Sequence, residues 1–116
     1  MVITGIGAVS PLGNTLRDTW ASALNGRSGI ATITKFDTTQ FDVKFAGEVK
    51  KFAANTYIEK KELKKMDLFI QYAIATSYMA FEQSGLKITE SNTQRTGVLS
   101  AQASVVYPTL KNSTQD

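Results

Sequence analysis

From Leu68 to Phe81 the only polar residues are Gln71, Thr76 and Ser77, so a helix over this stretch is apolar on nearly every side, the pattern of an element buried in a core. Leu63, Met66, Ile70, Ile74 and Tyr78 recur at intervals of three and four, which fixes one face. The periodicity predicts one long helix from Lys60, with Gly85 as its stop, because a helix end favours a residue that accepts positive φ. The run falls short of the roughly 20 apolar residues of a membrane span, and Lys61, Glu62, Lys64, Lys65 and Asp67 precede it at once. It predicts a helix that other structure must cover.

The remaining pattern is weaker but continuous. Met1 to Thr4 is a short β-branched run that predicts a buried strand, and the glycines and proline of Gly5 to Gly13 predict a loop. Thr15 and Asp18 have the spacing of a capping box, and Leu16, Trp20, Ala23 and Leu24 form an apolar stripe ending at Gly26. Together they predict an amphipathic helix of about ten residues. Arg27 to Gln40, rich in Ser and Thr, reads as irregular with Ile30 and Ile33 turned inward. Val43, Phe45 and Val49 alternate with charged residues as in a half-exposed strand, and Lys50 to Tyr57 turns the chain towards the long helix. Beyond Gly85, Ile88 is expected to pack, Thr89 to Gln94 to connect, and Gly97 to Val106 to form a strand ended by Pro108. Residues 109–116 read as a mobile tail. The order of elements predicts a single α/β domain over residues 1–116, with the long helix packed on a sheet.

Composition narrows the chemistry more than the fold. Hydrophobic content of 42% and charge of 20% exclude wholesale disorder, and a chain of 116 residues buries about two thirds of its unfolded surface. There is no cysteine and no histidine, which removes disulfides, thiolate metal sites, a cysteine nucleophile and an imidazole base. The early Gly5, Gly7, Pro11 and Gly13 are unlike a signal peptide, so a cytoplasmic location is expected.

Few residues remain that could act. Gly5 and Gly7 invite comparison with a dinucleotide fingerprint, but Ser10 stands where the third glycine belongs and a proline follows. Glu59, Glu62 and Asp67 each have a lysine neighbour, Ser10 and Ser100 have no histidine to activate them, and no metal set is expected. Charge is the exception. The net charge is only +3, yet seven of the thirteen basic residues lie between Lys44 and Lys65: Lys44, Lys50, Lys51, Lys60, Lys61, Lys64 and Lys65. Such a cluster is a solvated helix face or a surface for an acidic partner. Without interleaved arginines and exposed aromatics it does not suit nucleic acid.

Several separated stretches resemble one family. Residues 2–14, VITGIGAVSPLGN, look like the opening of the β-ketoacyl-acyl-carrier-protein synthases, closest to the type II elongating enzymes. In order and spacing there follow Trp20 with Leu24 to Ile30, Phe36-Asp37-Thr38, Phe45-Ala46-Gly47, Lys60 to Asp67, Phe69 to Ala73, and Glu82 before Ser84-Gly85-Leu86. The resemblance covers residues 2 to about 100.

It implies a thiolase-like fold, with a mixed sheet packed on a buried central helix, of which this chain supplies the first strands and helices of the N-terminal half, in an enzyme more than three times as long. It also implies a homodimer that elongates an acyl chain by decarboxylative condensation with malonyl-carrier protein, using a cysteine and two histidines beyond the matched part. Condensation needs a thiolate and donors for the developing charge, and this chain has neither Cys nor His, so by itself it is expected to be inactive. No cofactor is expected on the chain, since phosphopantetheine would arrive on the carrier protein. The resemblance implies that Lys60, Lys61, Lys64 and Lys65 dock acyl carrier protein, and that the remaining ketosynthase portion, a partner subunit or a second copy covers the long helix.

One stretch departs from the family. Where it has a glycine-rich segment around the acyl pocket, this chain has Ala101, Gln102, Ala103, Ser104, Val105 and Val106. That change suits a polyketide-type synthase or a non-catalytic subunit of the chain-length-factor kind. The lysine cluster is equally compatible with a truncated carrier-protein-binding subunit or with a small basic anion-binding module.

Overall fold

The computed structural model describes residues 1–102. Helix α1 spans Leu16–Leu24, strands β1 and β2 span Ile30–Thr32 and Phe45–Gly47, a single helical turn α2 spans Lys60–Leu63, and the long helix α3 spans Leu68–Ser84. Short 3-10 turns occupy Ala54–Thr56 and Thr93–Arg95.

The start of α1 follows its sequence signal, because the Thr15 hydroxyl accepts the Asp18 N–H at 3.1 Å and satisfies a donor that the first turn leaves free. Its end is closed by Gly26 at φ 66°, with the Arg27 N–H on the Ser22 carbonyl at 3.0 Å and the Gly26 N–H on the Ala23 carbonyl at 3.1 Å. The predicted apolar stripe is only partly used, since Trp20 and Leu24 are exposed.

The long helix is interrupted where the periodicity predicts one continuous element. α2 stops at Leu63, residues 64–67 turn, and Asp67 is extended at φ −69° and ψ 159° before α3 begins. Had the helix run on, Lys60 and Lys64, and likewise Lys61 and Lys65, would be like-charged neighbours one turn apart. Asp67 also favours a helix start over a helix interior. The far end matches its signal: Gly85 is left-handed at φ 69° and its N–H reaches the Glu82 carbonyl at 3.2 Å.

Cover for α3 comes mainly from two places. The extended N-terminal segment passes so close that a β-carbon on Gly5 would overlap the Ala80 carbonyl oxygen, and one on Gly7 the Thr76 carbonyl oxygen. Two residues of extended chain and one helical turn advance by similar distances, so both glycines meet the helix in register. Further along, Phe52 packs edge-on against Tyr72 with ring centroids 5.1 Å apart, and Tyr57 against Tyr78 at 5.7 Å.

This cover is incomplete, and the expectation of a buried central helix is corrected accordingly. Ala75 is the only residue of α3 that is buried, while Leu68, Phe69, Tyr78 and Phe81 are 41–50% exposed. Among the described residues the only other buried hydrophobic side chain is Ile58.

The sheet also differs from the mixed sheet expected on that helix. β1 and β2 are antiparallel, with Ile30 opposite Gly47, Ala31 opposite Ala46 and Thr32 opposite Phe45. They form the only sheet among the described residues. β1 falls in the stretch whose composition reads as irregular, with Ile30 exposed and Ile33 half-buried. Pro11 seats this hairpin against the first loop, since β-carbons on Gly29 and Gly47 would come within 2.8 and 2.9 Å of its ring.

Met1 to Thr4 is not a strand, because no described segment pairs with it, and Val2 and Ile3 are exposed. Ile88 is likewise exposed rather than packed. Residues 97–102 form no strand, and Val98 and Leu99 are exposed. The rest of that predicted strand, Pro108 and the predicted tail lie outside the described residues.

Candidate functional site

The lysine cluster is set on a small anchored turn. Ile58 is buried and its N–H reaches the Ala54 carbonyl at 3.0 Å, while Leu63 and Met66 are half-buried. The Leu63 N–H bonds the Glu59 carbonyl at 3.2 Å and the Lys65 N–H bonds the Glu62 carbonyl at 3.0 Å. The Gln71 side-chain amide then donates to the Met66 carbonyl at 3.2 Å, tying the turn to α3. With the apolar residues turned inward, Lys60, Lys61, Lys64 and Lys65 are all exposed. The anchors hold the backbone while the four ammonium groups face water.

The remaining basic residues of the cluster lie elsewhere. Lys44 adjoins β2, where its carbonyl accepts the Ile33 N–H at 2.9 Å. Lys50 and Lys51 line a cleft beside residues 10–14 and α1.

The uncovered face of α3 forms one wall of an open apolar groove of about 550 Å³, lined by Phe69, Ile74, Tyr78 and Phe81 with Val98 opposite. Ala101 and Gln102 also line it. Apolar periodicity locates this face but predicts it as buried, so the groove is not legible in the sequence. Beside it the Glu82 carboxylate raises the Tyr78 pKa, by hydrogen bonding first and by charge second.

Other polar groups serve the fold. The Ser10 hydroxyl lies 2.8 Å from the Thr19 hydroxyl and accepts the Leu12 N–H at 3.2 Å, which fixes the first loop. The Glu48 carboxylate accepts the Thr34 N–H and hydroxyl, each at 3.0 Å, and the Lys35 N–H at 3.2 Å. Its pKa is lowered chiefly by the Thr34 N–H. Among the described residues no cluster of three or more His, Cys, Asp or Glu side chains could hold a metal ion, and no helix is long and apolar enough to cross a membrane.

Comparison with known proteins points one way. The family model described as "Beta-ketoacyl synthase, N-terminal domain" matches residues 1–116. The chain is 51% identical over 98 residues to the 3-oxoacyl-[acyl-carrier-protein] synthase 2 of Vibrio harveyi, covering 84% of this chain and 24% of that protein. It is 43% identical over 99 residues to the protein of the same name from Synechocystis sp., covering 85% and 24%. Among solved structures it is similar to "The ishigamide ketosynthase/chain length factor", with a TM-score of 0.67 and 37% identity over 74% of this chain and 21% of that one. This likeness supports a partial thiolase-like fold. The chain spans about a quarter (24%) of the length of the curated relatives it matches. Matched along its whole length by the family model, the chain belongs to the β-ketoacyl synthases and is a fragment of their N-terminal domain.

Proposed function

We propose that this chain is the N-terminal part of a β-ketoacyl-ACP synthase-like protein whose complete form condenses acyl and malonyl thioesters in fatty acid or polyketide synthesis. In this reading Lys60, Lys61, Lys64 and Lys65 receive the acidic face of acyl carrier protein, and the chain carries no catalytic residue. The carrier brings the phosphopantetheine arm, so no cofactor is held here. The setting is cytoplasmic, and the remaining ketosynthase portion or a second copy covers the apolar groove of α3. Neither nucleic acid nor membrane is a partner.

The observation that carries docking is the anchored turn with its four exposed lysines. Clustered positive charge attracts an acidic helix at long range and speeds encounter, while each exposed ion pair adds little on its own, about 0–1 kcal/mol. Binding should therefore be strongest at low salt. Titration of acyl carrier protein into the full chain tests this, comparing the natural sequence with Lys64→Glu/Lys65→Glu. Weaker, less salt-sensitive binding by the variant supports docking, and equal affinities rule it out.

A second reading, a non-catalytic subunit of the chain-length-factor kind, is favoured by Ala101 and Gln102 lining the groove. Complementation separates the two. Condensing activity restored by adding the rest of the synthase supports the first reading, and carrier-protein binding without such activity supports the second.

A further inference from the structure

A second basic feature lies away from the α2 turn. Residues 10–14, the face of α1 that carries Asp18, Ala21 and Ser22, and residues 50–51 border an open cleft of about 540 Å³, within the size range of small-molecule sites. Arg27, Lys50 and Lys51 line it, with Asn25 and Ser28 as polar neighbours, and Asp18 is the one carboxylate among the described residues on its wall. The described residues of this wall thus carry three positive charges and one negative.

Two details of backbone bear on that charge. The helix end beside Arg27 has its carbonyls taken: Asn25, Gly26 and Arg27 donate to Ala21, Ala23 and Ser22 at 3.0–3.1 Å. Those bonds weaken the negative pole that would otherwise repel an anion. On the facing wall Lys51 has φ 53°, the only non-glycine residue with positive φ among the described residues, in a region costly for a side chain with a β-carbon. The Asn14 amide holds this bend by donating to the Lys50 carbonyl at 3.0 Å and the Lys51 carbonyl at 3.1 Å. Glu48, the nearest carboxylate in sequence, is held by Thr34 and Lys35 and shares with Lys50 and Lys51 the wall of a neighbouring cleft, not of this one. The backbone thus keeps a lysine where glycine would be less strained, and that lysine borders a cleft with two further cations.

We infer that this cleft is a binding site for the phosphate groups of a small phosphorylated molecule, held by Arg27, Lys50 and Lys51. A concave site favours a compact anion over the broad face of an acidic protein, and guanidinium and ammonium groups form the stronger, charge-assisted hydrogen bonds to phosphate oxygens. The inference does not rest on carrier-protein docking.

The test uses the isotopically labelled full chain and inorganic pyrophosphate as the probe, followed through its amide resonances at low salt. Saturable shifts are expected at Arg27, Ser28, Lys50 and Lys51. Arg27→Gln and Lys51→Gly should each weaken binding about tenfold, the value of one charge-assisted hydrogen bond. Lys51→Gly guards against misfolding, because glycine accepts that φ without strain. Lys64→Gln/Lys65→Gln should leave the affinity unchanged. Shifts that fail to saturate would overturn the inference, as would equal weakening by the Lys64/Lys65 pair, which indicates diffuse attraction. Stronger binding of a glutamate-rich peptide to the same amides would overturn it in favour of an acidic protein.

Discussion

Gly7 lies so close to Thr76 that a β-carbon on the glycine would overlap the threonine carbonyl oxygen. This approach, repeated at Gly5 and Ala80, lets an extended segment with no strand partner lie along α3. The Ile6 N–H, between the two glycines, bonds the Gln83 side chain at 2.6 Å and adds a polar tie.

Replacing Gly7 by alanine should therefore peel the N-terminal segment from α3. Overpacking of a tight contact costs about 1–3 kcal/mol, and the opposing atoms are helix backbone that cannot step aside. Urea unfolding of Gly7→Ala should show a lower midpoint than Gly97→Ala, since Gly97 has open space around it. Equal midpoints would mean that the segment contributes nothing to stability.

Thr15→Ala should cost about 1 kcal/mol, the usual loss for an N-cap whose hydroxyl accepts a backbone N–H. Thr15→Ser should recover most of it, because the serine hydroxyl can make the same bond. The same urea midpoints report both variants.

These two sites mark what is legible in the sequence. The cap of α1 and the stop of α3 at Gly85 are local, set by residues within one turn, and the sequence pattern places both on the right residues. The role of Gly7 is not local, because its need for space comes from Thr76, 69 positions away. β1 escapes the pattern although Ile30 and Thr32 favour strands, since the Ser and Thr around them read equally well as a loop until Phe45–Gly47 is known to lie opposite. The four lysines of the α2 turn are legible as a charge cluster, but their like-charge spacing, which disfavours one continuous helix, is a fainter signal than the apolar run beside it. The basic cleft is legible only in part: Lys50 and Lys51 belong to the charge cluster, but Arg27 joins them on one wall only through the fold.

Acid should loosen the hairpin before it touches α3. Hydrogen bonds, first from the Thr34 N–H, lower the Glu48 pKa, and the Thr39 hydroxyl does the same for Asp37. A carboxylate whose pKa is lower folded than unfolded adds stability above its ordinary pKa, and that stability is lost as pH falls through the depressed folded value. Unfolding midpoints of the natural sequence should thus decline on acidification below the ordinary carboxylate range. Glu48→Gln should flatten that decline in part, and Glu48→Gln/Asp37→Asn should flatten it further. An unchanged slope in the double variant would show that neither hydrogen-bonded carboxylate is linked to folding.

The groove on α3 makes the last prediction, because an apolar surface of this kind rarely stays in water. Leu68, Phe69, Tyr78 and Phe81 are each 41–50% exposed along one helix, and burying that area between copies is favourable by roughly 25 cal/mol for each Å² removed from water. Sedimentation equilibrium of the full chain should then show an average mass that rises with concentration, and Phe69→Lys/Phe81→Lys should hold it near the monomer. Both side chains are already half in solvent, so the double variant should keep the α3 amide dispersion of the natural chain. Adding the remaining portion of a β-ketoacyl synthase should compete with self-association, since both would cover the same face. A natural chain that stays monomeric at every concentration while keeping dispersed α3 resonances would show that the helix tolerates its exposure, and the need for cover would fall with it.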